Sequence, residues 1–481
     1  MEETESNKIA SNTLVQMIGR IIILALSLVS IKLVTNYLGT AGTGYYNTVI
    51  TYLSFVIVIA DLGLFSVTVR EVSKNPHKLK QLFSNIFTIR FVTALIATFL
   101  AILVANKTSY PAEIKNGLVV AALFPIFNLA GSVYDMFFQY KLEMQKVVLA
   151  ESISKIITVL SILLVVYLHL GYYAIIFTVS LAAILSFLIK AIISRHELPF
   201  VFSFEKKIVA QILKMSVPLG LVFIVNNIYF KVDTLILFYF KGAVDVGIYA
   251  VAYRVLETTL FAGAYLVSSL KPLLSTSIDQ DREKAKGAIT QASTFLLAIA
   301  LALTIISSVF SHDIVLFLSN SSFLPGAGAM AILGLTPIFL FLSGLFGEIL
   351  IAKDKKKLLT ILSIFILCFN VGLNIYFIPR YSYIGAAATT VISEVVLVCT
   401  SFLAARRVIE IKLDFARGAK LIFSAAMASA FAIISRSFGA YFLLNLAITM
   451  VIYGSMIYYL NAIPRYTIDR YLGSLKARRR S

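Results

Sequence analysis

Five basic residues interrupt apolar stretches of this chain: Arg20, Lys32, Arg90, Lys231 and Arg254. Each stretch is about twenty residues or more, long enough to cross a bilayer. A cation in hydrocarbon costs ~2.5–3.5 kcal/mol even on insertion scales, so such residues face a watery cavity or a partner. The chemistry they suit is electrostatic. A guanidinium grips an oxyanion through paired, charge-assisted hydrogen bonds. Five such cations predict an internal cavity for a negatively charged group. Snorkelling to the surface is the competing reading, strongest for Lys32 near the end of its span.

Polar stripes accompany the cations. Asn12, Gln16 and Arg20 recur every four residues on one helical face. Asn226, Tyr229 and Asp233 form a second stripe, and Tyr253, Arg254 and Glu257 a third, in which Arg254 and Glu257 are spaced to pair. Asn370 and Asn374 are four apart and can serve substrate sugars or a neighbouring helix. The acids Asp61, Asp233, Glu257, Glu348 and Glu394 are candidates for a coupling ion or for pairing a cation. The sequence holds no Walker loop, nucleophile elbow or His-x3-His pair, and its four histidines lie in connections or at span ends. Transport rather than catalysis follows, with no cofactor or metal expected and coupling to Na+ or H+ left open.

Those residues need helices to carry them, and composition says which kind. Of 481 residues, 59% are apolar and only 14% charged, with mean hydropathy +0.90. Soluble domains carry about 25% charged residues. The expected fold is an all-α polytopic membrane protein of about fourteen spans. They fall near 12–36, 45–66, 82–105, 116–139, 147–168, 171–193, 212–240, 247–275, 288–311, 325–352, 358–378, 383–404, 419–437 and 441–460. Cys368 and Cys399 lie within apolar stretches and read as small core residues, with no disulfide framework.

Charge orients the spans. Alternate connections, with both chain ends, hold 32 of the 42 Lys and Arg, including Lys190 and the run Lys353 to Lys357. The opposite connections hold only Lys107, Lys115, Lys241, Arg380 and Arg436. The positive-inside rule places both termini in the cytoplasm. Basic residues scattered over short loops argue against nucleic acid. Without Trp, the interfacial belt falls to Tyr37, Tyr45, Tyr46, Tyr110, Tyr172, Tyr173, Tyr381 and Tyr383.

The chain also repeats itself. Residues 39–46 and 242–249 both read Gly-x4-Gly-x-Tyr. Pro125-Ile126-Phe127 recurs as Pro337-Ile338-Phe339, each followed by Gly-x3-acid at Gly131 and Asp135, and at Gly344 and Glu348. The order predicts two six-span halves in parallel repeat, 1–205 and 206–405. Residues 406–481 then add two spans and a basic tail.

The strings YLGTAGTGYYN (37–47), IADLGLFSVTVRE (59–71), SVPLG (216–220), VDTLILFYFKGAVDVGIYAVAYRV (232–255) and NVGLNIYFIPRYSYIGAAATTVISE (370–394) carry a resemblance. The chain resembles the polysaccharide-export branch, of O-antigen flippase type (Wzx-like), of the multidrug/oligosaccharidyl-lipid/polysaccharide (MOP) exporter superfamily. The resemblance implies a V-shaped, two-lobed transporter of the cell membrane, working by alternating access. Its substrate would be an oligosaccharide on a polyprenyl pyrophosphate, moved from inner to outer leaflet, with polymerase or glycosyltransferase partners. The rivals are a cation-coupled drug antiporter of the same superfamily, a peptidoglycan lipid-precursor flippase, and a membrane glycan enzyme.

The topology is testable with Cys368 and Cys399 replaced. A cysteine at Ser109 should react with a membrane-impermeant maleimide on intact cells, and one at Ser481 should not. The reverse pattern overturns the orientation.

Overall fold

The computed structural model describes residues 2–198, 201–269 and 282–463. Among them the regular structure is helical. In chain order the helices are α1 (Glu2–Asp61), α2 (Leu64–Lys74), α3 (Leu79–Lys107), α4 (Ala112–Val120), α5 (Leu123–Tyr140), α6 (Met144–Tyr167), α7 (Tyr172–Ser194), α8 (Lys206–Lys241) and α9 (Ala243–Ser269). They continue as α10 (Arg282–Thr304), α11 (Ser311–Leu318), α12 (Ala327–Leu333), α13 (Thr336–Ala352), α14 (Lys356–Arg406), α15 (Phe415–Ser437) and α16 (Phe442–Tyr459). Eleven described segments are long and apolar enough to cross a membrane. Two of these divide at non-helical residues, Gly39 in α1 and Ser382 in α14. With α9 counted, about fourteen crossings result, and the chain is a multi-pass membrane protein.

Local chemistry explains the breaks. The span at Ala112–Tyr140 divides between α4 and α5, and the span at Ser321–Ala352 divides between α12 and α13. Pro125 and Pro337 sit in the first turn after each break. A proline ring clashes with the carbonyl four residues back, here Ala121 and Leu333, where the preceding helices end. The first turn tolerates the missing N–H, because that group is unpaired there anyway.

The duplicated corners share one backbone. Gly39 has φ 66°, ψ −172° and Gly242 has φ 82°, ψ −169°, a region open essentially to glycine alone. The second glycines of the motif do something different. A Cβ on Gly44 would overlap the carbonyl of Ala243, and a Cβ on Gly247 would overlap the carbonyl of Thr40. Thr40 and Ala243 are equivalent positions of the motif, so the two corners clasp each other reciprocally.

Packing divides the described residues into two compact units. The first runs up to Ala250 and includes Leu318–Ser322; the second holds the rest. In the first, Leu64, Phe83, Ile86, Met136, Phe137 and Phe138 are buried together. In the second, one cluster joins Ala285, Ile289, Leu345 and Ile349, and another joins Leu301, Leu421, Ala428 and Tyr453. The outward faces are apolar too: Phe99, Leu164, Ile361 and Ile433 are each more than half exposed. Such faces suit lipid, and they explain a reversal. Cys368 and Cys399, expected in the core, are exposed on α14.

Valine at Gly44 or Gly247 must push backbone away from backbone, so each should destabilise by about 1–3 kcal/mol or more. Thermal unfolding in detergent reads this. Because both act at one clasp, the double variant should lose less than the two single losses together.

Candidate functional site

Charged side chains from five helices of the first unit form a ladder. Arg90 on α3 is fully buried; its guanidinium donates to Asp61, at the end of α1, and to Ser132 on α5. One turn beyond Ser132, Asp135 meets Lys190 of α7 at 2.6 Å. Lys190 also lies 3.9 Å from one carboxylate oxygen of Glu151 on α6. The other oxygen of Glu151 takes Arg20 of α1 at 3.0 Å. Three cations and three carboxylates thus alternate, as they must where little water screens them. Exposure is least in the middle and rises toward both ends: 0% at Arg90 and 5% at Lys190, against 25% at Asp61 on one side and 28% at Glu151 and 38% at Arg20 on the other.

Backbone proximity makes the Arg20 rung. A Cβ on Gly19 would overlap a methyl of Val148 on α6. Glycine therefore lets α1 and α6 approach one turn from Glu151, with Arg20 alongside.

The other candidates of the first unit are scattered. The side chain of Asn12 lies outside the described residues. Gln16 and Lys231 are half-buried, while Lys32 and Asn226 are exposed. Asp233 is buried on α8; its carboxylate accepts from the Tyr249 hydroxyl at 2.6 Å and the Thr234 amide at 2.7 Å. Aromatic rings gather near the Gly39 corner: Tyr45 neighbours Tyr172 and Phe238, and Tyr110 neighbours Phe238 and Tyr52. The amide of Gly171 donates to the Tyr37 hydroxyl at 2.9 Å.

In the second unit, Arg254 and Glu257 form the i, i+3 pair that their spacing allows, at 2.7 Å. Arg254 stays 43% exposed. Asn370 donates to Ser393 at 3.1 Å and Asn374 to Asn370 at 2.8 Å, all buried within α14. These amides join the two arms of α14 across its break. Glu394 is buried beside Ser393, and Glu348 on α13 is half-buried.

Sequence reasoning missed two rungs and misplaced one. No motif singles out Glu151, and Asp135 stands in the sequence as part of a repeat and as one of the acids open to a cationic cargo, not as a partner of Lys190. Lys190, counted with a basic connection, is buried within α7 and paired. The signal was present as isolated charges inside AESIS and LIKAI, which interrupt apolar runs. Outside the spans, Lys141 and Glu197 pair at 2.9 Å. Their shared hydrogen bond pushes the lysine above its ordinary value and holds the glutamate below its own.

Paired breaks, clasped corners and charged rungs inside many apolar spans define a transporter fold of the MOP exporter superfamily. Within it the chain belongs to the polysaccharide biosynthesis protein family, whose model matches residues 9–278. The MatE model matches residues 218–376. An uncharacterised membrane protein of Methanocaldococcus jannaschii is 23% identical over 386 residues, 75% of this chain and 76% of that protein. Among solved structures, the lipid II flippase MurJ in an inward closed conformation matches with TM-score 0.73 and 16% identity, over 93% of this chain and 99% of MurJ. An inward-facing multidrug resistance MATE family transporter matches with TM-score 0.64 and 15% identity, over 80% of this chain and 94% of its own. A MOP superfamily transporter of Pyrococcus furiosus matches with TM-score 0.58 and 15% identity, over 83% of this chain and 96% of its own. At such identities these likenesses speak of fold.

Breaking the buried rung should be costly. Asp61→Asn leaves Arg90 without its counter-charge and should cost about 3–5 kcal/mol. The double variant Asp61→Leu with Arg90→Met removes both charges and should recover most of the loss in detergent thermal unfolding. Equal losses in the single and double variants would show that the pair is immaterial.

Proposed function

We propose that this protein flips a polyprenyl-pyrophosphate-linked oligosaccharide from the inner to the outer leaflet of the cell membrane. Both termini then face the cytoplasm, and the two sequence halves supply the moving lobes. The observation that carries the reading is Arg20: a partly exposed guanidinium inside an apolar helix, held by one carboxylate only at its edge. Arg254 offers a second exposed guanidinium in the other unit. A diphosphate can exploit such a guanidinium through charge-assisted hydrogen bonds. Arg90 takes a different part, because it is sealed and committed to Asp61 and Ser132. Lys231 is secondary, and exposed Lys32 and Asn226 stand at the margin. Membership of a polysaccharide biosynthesis family supports a glycan cargo. The likeness to a lipid II flippase supports a lipid-linked one and keeps a peptidoglycan precursor as the second reading.

Glycan export, measured in cells lacking their own flippase and with protein levels matched, tests the proposal. Each lost charge-assisted hydrogen bond is worth ~1.5–3 kcal/mol, so Arg20→Ala and Arg254→Ala should each lower export tenfold or more. Arg20→Lys should restore part of it, keeping charge but losing the fork. Lys355→Ala, on an exposed turn, should export normally. Normal export by both alanine variants overturns the head-group assignment.

A further inference from the structure

We propose that Glu151 is the resident counter-ion of the head-group site, neutralising Arg20 when the site is empty and releasing it to an incoming diphosphate by turning to Lys190. The inference rests on the flippase reading above and names the residue that makes its anion site exchangeable. Its basis is the division of one carboxylate between two cations. One oxygen of Glu151 holds Arg20 at 3.0 Å, while the other faces Lys190 at 3.9 Å, beyond hydrogen-bond length. Lys190 is meanwhile held by Asp135 at 2.6 Å and is almost fully buried. It is a fixed cation with unused reach toward Glu151.

Two requirements conflict at Arg20. Left unpaired in an apolar helix, it would be expensive to keep charged. Locked into a permanent pair, it could not bind cargo. A carboxylate with a second cation within a small rotation satisfies both. When a diphosphate takes the guanidinium, Glu151 closes the gap to Lys190 rather than becoming an orphaned anion beside the incoming negative charge. A neutral molecule offers nothing to displace the carboxylate. The exchange therefore selects for anionic head groups, and Lys190 acts as a positioning residue rather than a ligand. No bond forms or breaks in the step; only ion partners change.

The test uses purified full-length protein in detergent, with geranylgeranyl diphosphate as probe and geranylgeraniol as its neutral control, and binding read by native mass spectrometry. Glu151→Gln keeps the shape and removes the competing charge. It should bind the diphosphate about tenfold more tightly, equivalent to about 1.4 kcal/mol, with binding of the alcohol unchanged. Arg20→Ala should lose the diphosphate. Lys190→Met should weaken binding while Glu151 is present and have little effect in the Glu151→Gln background. A purely structural contact between α1 and α6 would not produce that sign reversal. Glu151→Ala serves as the second variant if Glu151→Gln fails to fold. If the wild type does not prefer the diphosphate to the alcohol, or Arg20→Ala binds it normally, the head-group reading itself fails. If Arg20→Ala loses binding but the Glu151 variants bind as the wild type or more weakly, the exchange is wrong and Glu151 is only a bolt between two helices.

Discussion

An ionised side chain inside a membrane span needs an opposite charge within reach, and much of the first unit is organised by that constraint. Water does not reach Arg90, so Asp61 supplies the counter-charge and Ser132 accepts a hydrogen bond. Lys190 answers Asp135, and Glu151 answers Arg20. The six charged groups come from five helices, α1 supplying two, so satisfying the charges also fixes how α1, α3, α5, α6 and α7 stand beside one another. Buried pairs seldom add much net stability, because desolvation offsets attraction. Their value is the penalty on wrong arrangements, in which a charge would lose its partner. The Lys141–Glu197 pair makes the contrast. At the surface, water competes for both groups, and such a contact contributes little.

A second constraint is the absence of side chain at particular points. At the Gly44–Ala243 and Gly247–Thr40 contacts, backbone meets backbone. Gly19 leaves room for the Val148 side chain and brings Arg20 onto α6. The ladder and the clasp are thus connected through α1. Its first arm carries Arg20, its corner is clasped to the start of α9, and its second arm ends on Asp61. A shift in the corner would move a helix that is ionically tied at both of its arms.

Much of this was legible in the sequence. Spans are long apolar runs, so their number could be counted without tertiary knowledge. The Gly-x4-Gly-x-Tyr corners encode a local backbone requirement, and local requirements leave local signals. The Arg254–Glu257 pair follows from helical spacing alone. Orientation was less legible, because in a bilayer the outer face of a helix is as apolar as its inner one. Cys368 and Cys399 therefore went to the wrong face. Asn370 and Asn374 carried two readings until Ser393 supplied a partner. The ladder was the least legible. Its partners lie tens of residues apart, and nothing in the neighbourhood of Lys190 points to Asp135 or Glu151. Charge counting treated Lys190 as a loop anchor because it sits near a helix end. Only packing reveals that the end is buried there.

The pairing also bears on what the ladder can attract. A sequence with several intramembrane acids admits a cationic cargo, and Asp61, Asp135 and Glu151 belong to that set. Each is paired with a basic side chain, although Asp61 and Glu151 keep about a quarter of their side chains exposed. The balance is broken only where a partner is exposed, and the most exposed member of the ladder is a cation, Arg20. An arriving anion competes with one carboxylate for a guanidinium that water already reaches. An arriving cation would have to draw Asp61 or Asp135 away from buried Arg90 or Lys190 and leave that charge alone in the interior, or take Glu151 from Arg20, whereas Glu151 on losing Arg20 still faces Lys190. The second exchange is far costlier than the first. The ladder, neutral in sum, is asymmetric in what it will release, and that asymmetry favours an anionic head group over a cationic drug.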